Sequence, residues 1–175
     1  MMEKYLVINA GSSSLKFSLY EMPKEKLLIN GYFEKIGFED SFWTIKINGN
    51  KIRKEGYLSN HADAVKMMIN ELINNNIIVS MDEICGIGHR VLHGGEIYSD
   101  SVKITDKVLN DIIDLTKLGP LHHPGEIAGI KAMNECLSEV MQVAVFDTAF
   151  HQTMPKENYI YAVPYEWYEK YKVRR

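Results

Sequence analysis

Apolar residues in the first third of the chain recur with the spacing of β-strands. The predicted strands cover residues 4–9, 15–20, 27–33 and 43–47. Trp43, Ile45 and Ile47 alternate with polar residues, which is the two-residue period of a strand with one buried face. Asn48-Gly49 follows directly, and both residue types tolerate the positive φ angles of a tight hairpin turn. The pattern predicts a sheet that begins with antiparallel hairpins.

The spacing changes to that of amphipathic helices in the middle of the chain. Three stripes of apolar residues at helical spacing cover residues 65–73, 108–115 and 127–137. Asn60 and Thr105 can cap the first two helices, and Pro124 suits the first turn of the third. Buried strands are predicted at 84–88 and 141–146. We therefore expect an α/β fold, with a mixed sheet begun by hairpins and finished by crossover helices.

Composition and charge narrow the class of protein. The chain has 175 residues, of which 46% are hydrophobic and 25% are charged, as in ordinary globular proteins. A net charge of −3 without a basic block argues against nucleic-acid binding. The apolar runs are too short to span a membrane. Cys85 and Cys136 lack metal-ligand spacing, which favours a reducing, cytoplasmic location.

The first segment with chemical potential is the small, hydroxyl-rich stretch Asn9–Lys16 between two predicted strands. Small residues let backbone N–H groups turn toward an anion, and Lys16 can add a positive charge. Asn9, at the end of a strand, could orient a metal ion or its bound water. The stretch is not a P-loop, because GxxxxGK[ST] is absent. The alternative is an ordinary Ser-rich hairpin turn.

The second segment is Gly88–Glu96, directly after a buried strand. Arg90 suits bidentate recognition of a carboxylate or phosphate, and two glycines beyond it allow close approach of a ligand. The alternative is a structural ion pair between Arg90 and Glu96. His89 and His93 fit packing or loop positions better than a chemical role.

Two further segments carry histidines and a strand-end aspartate. His122 and His123 could bind a metal, but no third ligand follows at helical spacing, and the alternative is a rigid turn with His123 as helix cap. Leu121 could line a small apolar pocket with Leu92. Asp147 ends a buried strand and can hold Mg²⁺ near phosphates, or serve only as a turn or capping residue. His151 is a weaker candidate of the same kind.

These segments together resemble the acetate kinase family. NAGSSSLK, GHRVLHGGE, PLHHP and VFDTAFHQTMP follow one another in the family's order, and VPYEWYEKYKVRR continues the likeness to the last residue. Butyrate kinases typically have Pro after the Asn, so Ala10 favours the acetate/propionate branch. The family usually has Asn where this chain has His123, and Ala where it has Gly119.

The resemblance implies a ribonuclease H-like fold of the sugar-kinase/Hsp70/actin type, with two related domains around the active site. Residues 1–150 would form the N-terminal domain without its returning C-terminal segment, and residues 151–175 would begin the second. The implied cofactor is Mg²⁺ or Mn²⁺, with ATP/ADP as co-substrate. By this resemblance, Asn9 would help to hold the metal ion. The residues that would contact the nucleotide phosphates are Gly11, Ser12, Ser13, Ser14 and Lys16.

The resemblance also implies the acyl site. Arg90 would bind the carboxylate substrate and the transferring phosphoryl group, and Asp147 would be the active-site aspartate. Leu92 and Leu121 would surround the substrate methyl group, and His122 would lie near the phosphoryl site. Because the acetate carboxylate is already ionised at pH 7, we favour Asp147 as a residue that positions Mg²⁺ over a proton acceptor.

The implied reaction is ATP + acetate ⇌ ADP + acetyl phosphate. The family runs to about 400 residues, a two-domain size. We therefore expect this chain to be the N-terminal part of an acetate kinase, inactive or nearly so by itself, from an enzyme that dimerises through its other domain. The alternatives are a propionate kinase and a stand-alone small-anion-binding or interaction module that has kept the fold without catalysis.

Overall fold

The computed structural model describes residues 2–175 of the chain. The strands are β1 (Glu3–Ala10), β2 (Ser14–Met22), β3 (Lys26–Glu34), β4 (Phe42–Ile47), β5 (Asn50–Glu55), β6 (Ile84–Val91), β7 (Val102–Lys103) and β8 (Gln142–Phe146). The helices are α1 (His61–Asn74), α2 (Asp106–Asp114), α3 (His123–Cys136), α4 (Lys156–Tyr159) and α5 (Glu166–Tyr171).

All eight strands belong to one sheet, in the order β5-β4-β3-β2-β1-β6-β8-β7. The strands from β1 to β5 pair antiparallel in sequence, as predicted from the hairpin signals. β6 pairs parallel with β1, and β8 pairs parallel with β6. The carboxyl ends of β1, β6 and β8 therefore meet at one edge of the sheet, where open α/β sheets bind ligands.

Two strands were missed by the pattern. β5 exposes most of its side chains, so its sequence lacks the alternation that a buried face imposes. β7 has only two residues and pairs with β8 at the sheet edge, which is too short for any periodicity. The helix predicted up to residue 115 ends at Asp114 and continues as a 3-10 turn over Leu115–Leu118.

Side-chain caps fix where two helices begin. The Asn60 side chain accepts a hydrogen bond from the backbone N–H of Asp63 at 3.0 Å. Thr105 accepts one from the N–H of Val108 at 3.3 Å. Both caps were predicted, because these side chains replace the missing intrahelical acceptors of a first turn.

The core lies between the sheet and the helices. The larger apolar cluster joins inward residues of β1–β4 and β6 to buried residues of α1 and α3, such as Met68, Leu72 and Met133. A second cluster ties α2 to the ends of β6 and β8, where the rings of Tyr98 and Phe146 stack at 4.8 Å. Both clusters hold the ligand-facing strand ends in place. No helix within residues 2–175 is long and apolar enough to cross a membrane.

Candidate active site

Three predicted site residues meet at the shared edge of β1, β6 and β8. The Arg90 guanidinium donates through Nε to Asp147 Oδ1 and Oδ2 at 3.1 and 3.0 Å, and through Nη2 to Oδ2 at 2.6 Å. Its Nη1 lies 3.5 Å from Asn9 Oδ1. The Arg90 and Asp147 side chains remain 41% and 40% exposed. Both therefore remain accessible to a ligand.

The Asp147 carboxylate has a direct electrostatic effect on Arg90. Its hydrogen bonds raise the pKa of the Arg90 guanidinium, so that the side chain keeps its positive charge throughout the physiological range. The bidentate contact also fixes the plane of the guanidinium, because two parallel hydrogen bonds allow one orientation. The pair thus presents an oriented cation at the end of β6.

The alternative ion pair between Arg90 and Glu96 is wrong. Glu96 instead accepts a hydrogen bond from Tyr168 Oη at 2.6 Å. Its carboxylate also lies 3.6 Å from Lys172 Nζ and 3.5 Å from Arg174 Nη1. Glu96 therefore holds the residues around α5 against the loop after β6, while Arg90 is left to Asp147. The proposed domain boundary at residue 150 stays a prediction.

The Gly11–Ser14 loop joins β1 to β2 and is anchored on three sides. The N–H of Gly11 donates to the Ser14 carbonyl at 2.8 Å, which closes the turn. His61 Nε2 donates to the Gly11 carbonyl at 2.8 Å, and the N–H of Ile36 donates to the Ser13 carbonyl at 2.9 Å. The loop is a hairpin turn, as the alternative interpretation held, but a tightly fixed one.

The same loop keeps backbone donors available. Within residues 2–175, the N–H groups of Ser12 and Ser13 make no hydrogen bond to another backbone group outside the regular elements. Successive N–H groups of this kind form a concave binding site for an anion. The geometry therefore suits a phosphate, although the phosphate-binding role of the three serines stays a prediction.

The N-terminus of α3 packs directly on this loop. A Cβ at Gly125 would lie 2.3 Å from the carbonyl carbon of Gly11 and 2.6 Å from the nitrogen of Ser12. One turn later, a Cβ at Gly129 would lie 2.6 Å from the Cβ of Ala10. Only glycine allows the helix to approach so closely. Since the N-terminal end of a helix dipole is positive, this contact favours an anion at the loop.

Lys16 lies on the same face of the sheet as Asn9. The two residues are directly opposite each other in the β1–β2 register, and opposed residues of antiparallel strands project to one side. The Lys16 side chain is exposed. Its assignment to the nucleotide phosphates stays a prediction, supported by this shared face.

The residues expected to form the apolar pocket lie on two neighbouring loops. Leu92 follows the end of β6, is half-buried, and has a side chain close to Gly119. Leu121 is 82% exposed on the turn before α3. His122 is also exposed, at the N-cap of α3. The acyl pocket and the role of His122 stay predictions, because the exposed Leu121 lacks an opposing wall within residues 2–175.

The two adjacent histidines face in different directions. His123 is not the helix cap, because His122 occupies that position. His123 is fully buried, and its Nδ1 donates to the Ile112 carbonyl at 2.9 Å. One ring is exposed and the other is in the core, so the two cannot ligate one metal ion together. Among residues 2–175, no group of three His, Cys, Asp or Glu side chains forms a metal cage.

The remaining candidate histidines have structural contacts. His89 is buried, and its Nε2 donates to Gln142 Oε1 at 2.7 Å. Burial lowers the pKa of His89 to about 4 against the opposing effect of this hydrogen bond. His93 accepts a hydrogen bond from the N–H of Gly95 through Nδ1, at 2.9 Å. His151 is exposed. Packing and loop roles, which were favoured for His89 and His93, agree with these contacts.

Two residues that position the site were missed by sequence reasoning. His61 holds the Gly11 carbonyl, and Glu126 accepts the N–H of Leu92 through Oε1 at 3.1 Å. The sequence places Glu126 in the first turn of a helix, where an acidic residue is normally exposed. Its burial depends on how α3 meets the end of β6, and no local pattern encodes that contact.

The donor atoms at the strand ends fit a magnesium or manganese ion. Asn9 and Asp147 supply an amide oxygen and a carboxylate, which are hard ligands, at the ends of β1 and β8 on the two sides of β6. Asp147 Oδ2 accepts from both Nε and Nη2 of Arg90, whereas Oδ1 accepts only from Nε and retains a second lone pair, on a side chain that is 40% exposed. Mg²⁺ usually takes one or two carboxylates and completes its shell with water and phosphate oxygens.

Strand ends, a serine-rich loop and an arginine at one edge of a mixed sheet are typical of an α/β domain that binds an anionic ligand. The family model described as the acetokinase family matches residues 4–175. The chain is 59% identical to an acetate kinase of Bacillus cytotoxicus and 57% identical to one of a Geobacillus species, each over 174 residues. The chain therefore belongs to the acetokinase family, as the motifs indicated.

Solved structures agree with this assignment. The chain matches the crystal structure of Porphyromonas gingivalis acetate kinase with a TM-score of 0.95 and 43% identity over 99% of its length. It matches a propionate kinase from Francisella tularensis with a TM-score of 0.92 and 39% identity. The expected α/β fold of the sugar-kinase/Hsp70/actin type is confirmed. The chain spans 44% of the length of the first curated relatives that it matches.

Proposed function

We propose that this chain forms the acyl- and phosphate-binding part of an acetate kinase, which transfers a phosphoryl group reversibly from ATP to acetate. The observation that carries the proposal is the Arg90–Asp147–Asn9 cluster at the strand ends, next to an anchored loop with available N–H donors. Relatives of up to 59% identity bear the name acetate kinase. Because the chain spans 44% of the length of the 59% identical relative, the proposal assigns the remaining groups of the site to the rest of the enzyme.

Arg90 supplies the central charge. One edge of its guanidinium is held by Asp147, and the rest is available to the acetate carboxylate and the equatorial oxygens of the transferring phosphoryl group. The transition state of phosphoryl transfer is loose and metaphosphate-like, with charge on those oxygens. A fixed cation at this place lowers the barrier because it needs no reorganisation during the reaction.

The nucleophile needs no activation by a base. A carboxylate oxygen of acetate is ionised at pH 7, since carboxyl pKa values lie near 4. Asp147 therefore orients Arg90 and, with Asn9, holds the divalent ion. That ion, when bound, neutralises charge on the phosphate oxygens. The Gly11–Ser14 loop and Lys16 hold the nucleotide phosphates, while Leu92 and Leu121 contact the methyl group.

A propionate substrate is the candidate within the same class. The propionate kinase of Francisella tularensis has the same fold with a TM-score of 0.92. Acetate and propionate differ by one methylene, which a pocket discriminates by only about 1–3 kcal/mol. We favour acetate because relatives that are 59% and 57% identical to this chain are named acetate kinase. Leu121 is exposed in this structure, so pocket size is set jointly with the rest of the enzyme.

The proposal is tested first by ligand binding to the ¹⁵N-labelled 175-residue chain. Titration with acetyl phosphate should shift the amide signals of Gly11, Ser12, Ser13 and Leu92. Arg90→Ala should abolish these shifts, whereas Arg53→Ala on the outer strand should not. Absence of shifts in the unmodified chain at millimolar acetyl phosphate would contradict the proposal.

The second test concerns turnover. The isolated chain should form no acetyl phosphate from ATP and acetate, because it spans 44% of the length of its relatives. The chain can also be joined to the remaining part of a related enzyme. If this hybrid binds acetyl phosphate but does not turn over, the chain is a non-catalytic anion-binding module. Robust turnover by the isolated chain would contradict the proposal that the rest of the enzyme supplies groups needed for catalysis.

We further propose a cytoplasmic location and a homodimer formed through the other part of the enzyme. Cys85 and Cys136 are free thiols, which suits a reducing compartment. The dimer proposal derives from the resemblance to the family.

A further inference from the structure

Two buried polar atoms at the start of α3 face each other without a hydrogen bond. Within residues 2–175, His123 Nε2 and Glu126 Oε2 are the buried side-chain atoms that lack a partner. They lie 4.0 Å apart, and the two side chains are 0% and 2% exposed. Unpartnered buried polar atoms are rare and costly in folded proteins.

The hydrogen bonds of His123 Nδ1 and Glu126 Oε1 determine whether His123 Nε2 and Glu126 Oε2 can donate a hydrogen bond. His123 Nδ1 donates to the Ile112 carbonyl, which can only accept. The proton of a neutral His123 ring is therefore on Nδ1, and Nε2 carries a lone pair. Glu126 Oε1 accepts the N–H of Leu92, and an ionised Oε2 is also an acceptor only. Two acceptors would then face each other in the core.

We propose that His123 and Glu126 share one additional proton, and that this proton-sharing pair positions the main chain of Leu92 beside Arg90. The proton is on His123 Nε2 and is donated to Glu126 Oε2, or on Oε2 and donated to Nε2. Both arrangements contain the same number of protons, and both satisfy the two orphan atoms once these approach by about 1 Å from their separation of 4.0 Å. In both, Oε1 continues to accept the Leu92 N–H. Glu126 is thus a positioning residue, not a catalytic one.

The charged and titratable groups around the pair are those of the site. The charges of Arg90, His122 and Asp147 act on Glu126, and His93 is close enough to His123 for the two rings to interact electrostatically. Burial is the largest influence, and it raises the pKa of the Glu126 carboxyl, which agrees with a retained proton. With that proton the pair has no net charge. Without it, a buried negative charge would lie near Arg90, where anionic substrates bind.

One hydrogen bond, from the Leu92 N–H to Glu126 Oε1, connects the protonation of the pair to the site. Loss of the proton would set two lone pairs against each other, turn the Glu126 side chain away and release the Leu92 N–H. Leu92 follows β6 two residues after Arg90, so the loop that faces the acyl substrate would move. This consequence for substrate binding rests on the proposed function, but the shared proton does not.

The shared proton is tested by ¹⁵N and ¹³C NMR of the 175-residue chain. At pH 7 we expect either a doubly protonated His123 ring or a neutral Glu126 carboxyl group. A ring protonated only on Nδ1 next to an ionised Glu126, as a bridging water would allow, would overturn the inference. The Leu92 amide signal should titrate with the pair.

Glu126→Gln is the matched variant, because its amide accepts the Leu92 N–H and donates to His123 Nε2 without an extra proton. Glu135→Gln, on the exposed side of the same helix, is the control. Above pH 7 the unfolding equilibrium constant of the unmodified chain should rise relative to Glu126→Gln, by up to about tenfold per pH unit. Parallel pH dependences in the two proteins would overturn the inference.

Substrate binding separates this inference from the proposed function. Over the pH range in which the pair loses its proton, the affinity for acetyl phosphate should fall about threefold or more in the unmodified chain, because like charges repel near Arg90. It should fall less in Glu126→Gln. An equal fall in both would overturn the link to the site. If neither protein binds acetyl phosphate at any pH while NMR still shows the extra proton on the pair, the proposed function is contradicted and the shared proton is supported.

Discussion

The Arg90 guanidinium and the Asp147 carboxylate face each other at the ends of two adjacent parallel strands. They are 57 positions apart in the sequence and are joined by contacts of 2.6 to 3.1 Å. Parallel pairing of β6 with β8 places Arg90 opposite Val145, two residues before Asp147. The ion pair therefore results from sheet register, and it fixes one edge of the guanidinium while the rest stays open to ligand.

Arg90→Ala should lower the turnover of a complete enzyme about 10²–10³-fold, because it removes a fixed cation from the transition state. A suitable enzyme joins this chain to the remaining part of the Bacillus cytotoxicus acetate kinase, which is 59% identical over the matched region. Arg90→Lys should recover only part of the loss, since an ammonium cannot form the bidentate contact. The measurement is kcat for acetyl phosphate formation.

Stability provides the control for this prediction. The ion pair is 40–41% exposed, so its loss should change the free energy of unfolding by about 1 kcal/mol or less. Arg53→Ala, on the outermost strand β5, should leave kcat unchanged. Turnover of Arg90→Ala within a few-fold of the unmodified hybrid would remove Arg90 from the proposed site.

Asp147→Asn should lower turnover of the same hybrid by a similar factor at every pH between about 6 and 9. In the proposed site the carboxylate would orient Arg90 and a divalent ion, and a carboxylate nucleophile such as acetate is ionised throughout this range. More Mg²⁺ should be needed for half-maximal rate. Asp114→Asn, an exposed residue at the end of α2, is the control. If the rate of the unmodified hybrid rises with pH and Asp147→Asn removes only this rise, Asp147 acts as a base.

The fold was predictable where burial leaves a period in the sequence. Trp43, Ile45 and Ile47 lie in β4 as predicted, although the polar Thr44 is buried as well, and Asn60 caps α1 as predicted. β5 left no such period, because its outer position at the sheet edge exposes its side chains. The meeting of Asn9, Arg90 and Asp147 was predictable as well, because parallel strands bring their carboxyl ends together at one edge of the sheet.

The parts of the site that depend on contacts between distant elements were not predictable. Glu126 has the sequence signal of an exposed first-turn carboxylate, but α3 packs against the end of β6 and buries it against Leu92. The alternative that made His123 the helix cap is wrong, because His122 occupies the N-cap of α3 and the His123 side chain lies in the core. Neither position is determined by its neighbours in sequence.

Gly125→Ala should destabilise the chain by about 1–3 kcal/mol, the usual cost of overpacking. The added Cβ would lie 2.3 Å from the backbone of Gly11, and backbone atoms cannot yield as a flexible side chain can. The helix must move away from the Gly11–Ser14 loop, so binding of acetyl phosphate should weaken as well. Urea unfolding and NMR titration measure the two effects.

Gly88→Ala is the matched control for this variant. A Cβ at Gly88 would meet no atom within 4 Å, and the residue lies inside β6. Its replacement by Ala should be neutral or slightly stabilising, since glycine loses more backbone entropy on folding. Equal stability of Gly125→Ala and Gly88→Ala would show that α3 does not press on the loop as the structure indicates.

His89 should make the chain less stable in mild acid. Burial lowers its pKa to about 4, whereas the unfolded side chain titrates near 6.5. The unfolded state therefore binds a proton that the folded state refuses, and stability is lost as pH falls from about 6.5 toward 4, by up to about 3 kcal/mol. His89→Gln, whose amide can still donate to Gln142 Oε1, should lose much less over this range. Urea unfolding at pH 7, 5.5 and 4.5 measures the difference. The same loss in both proteins would assign the acid sensitivity to other groups.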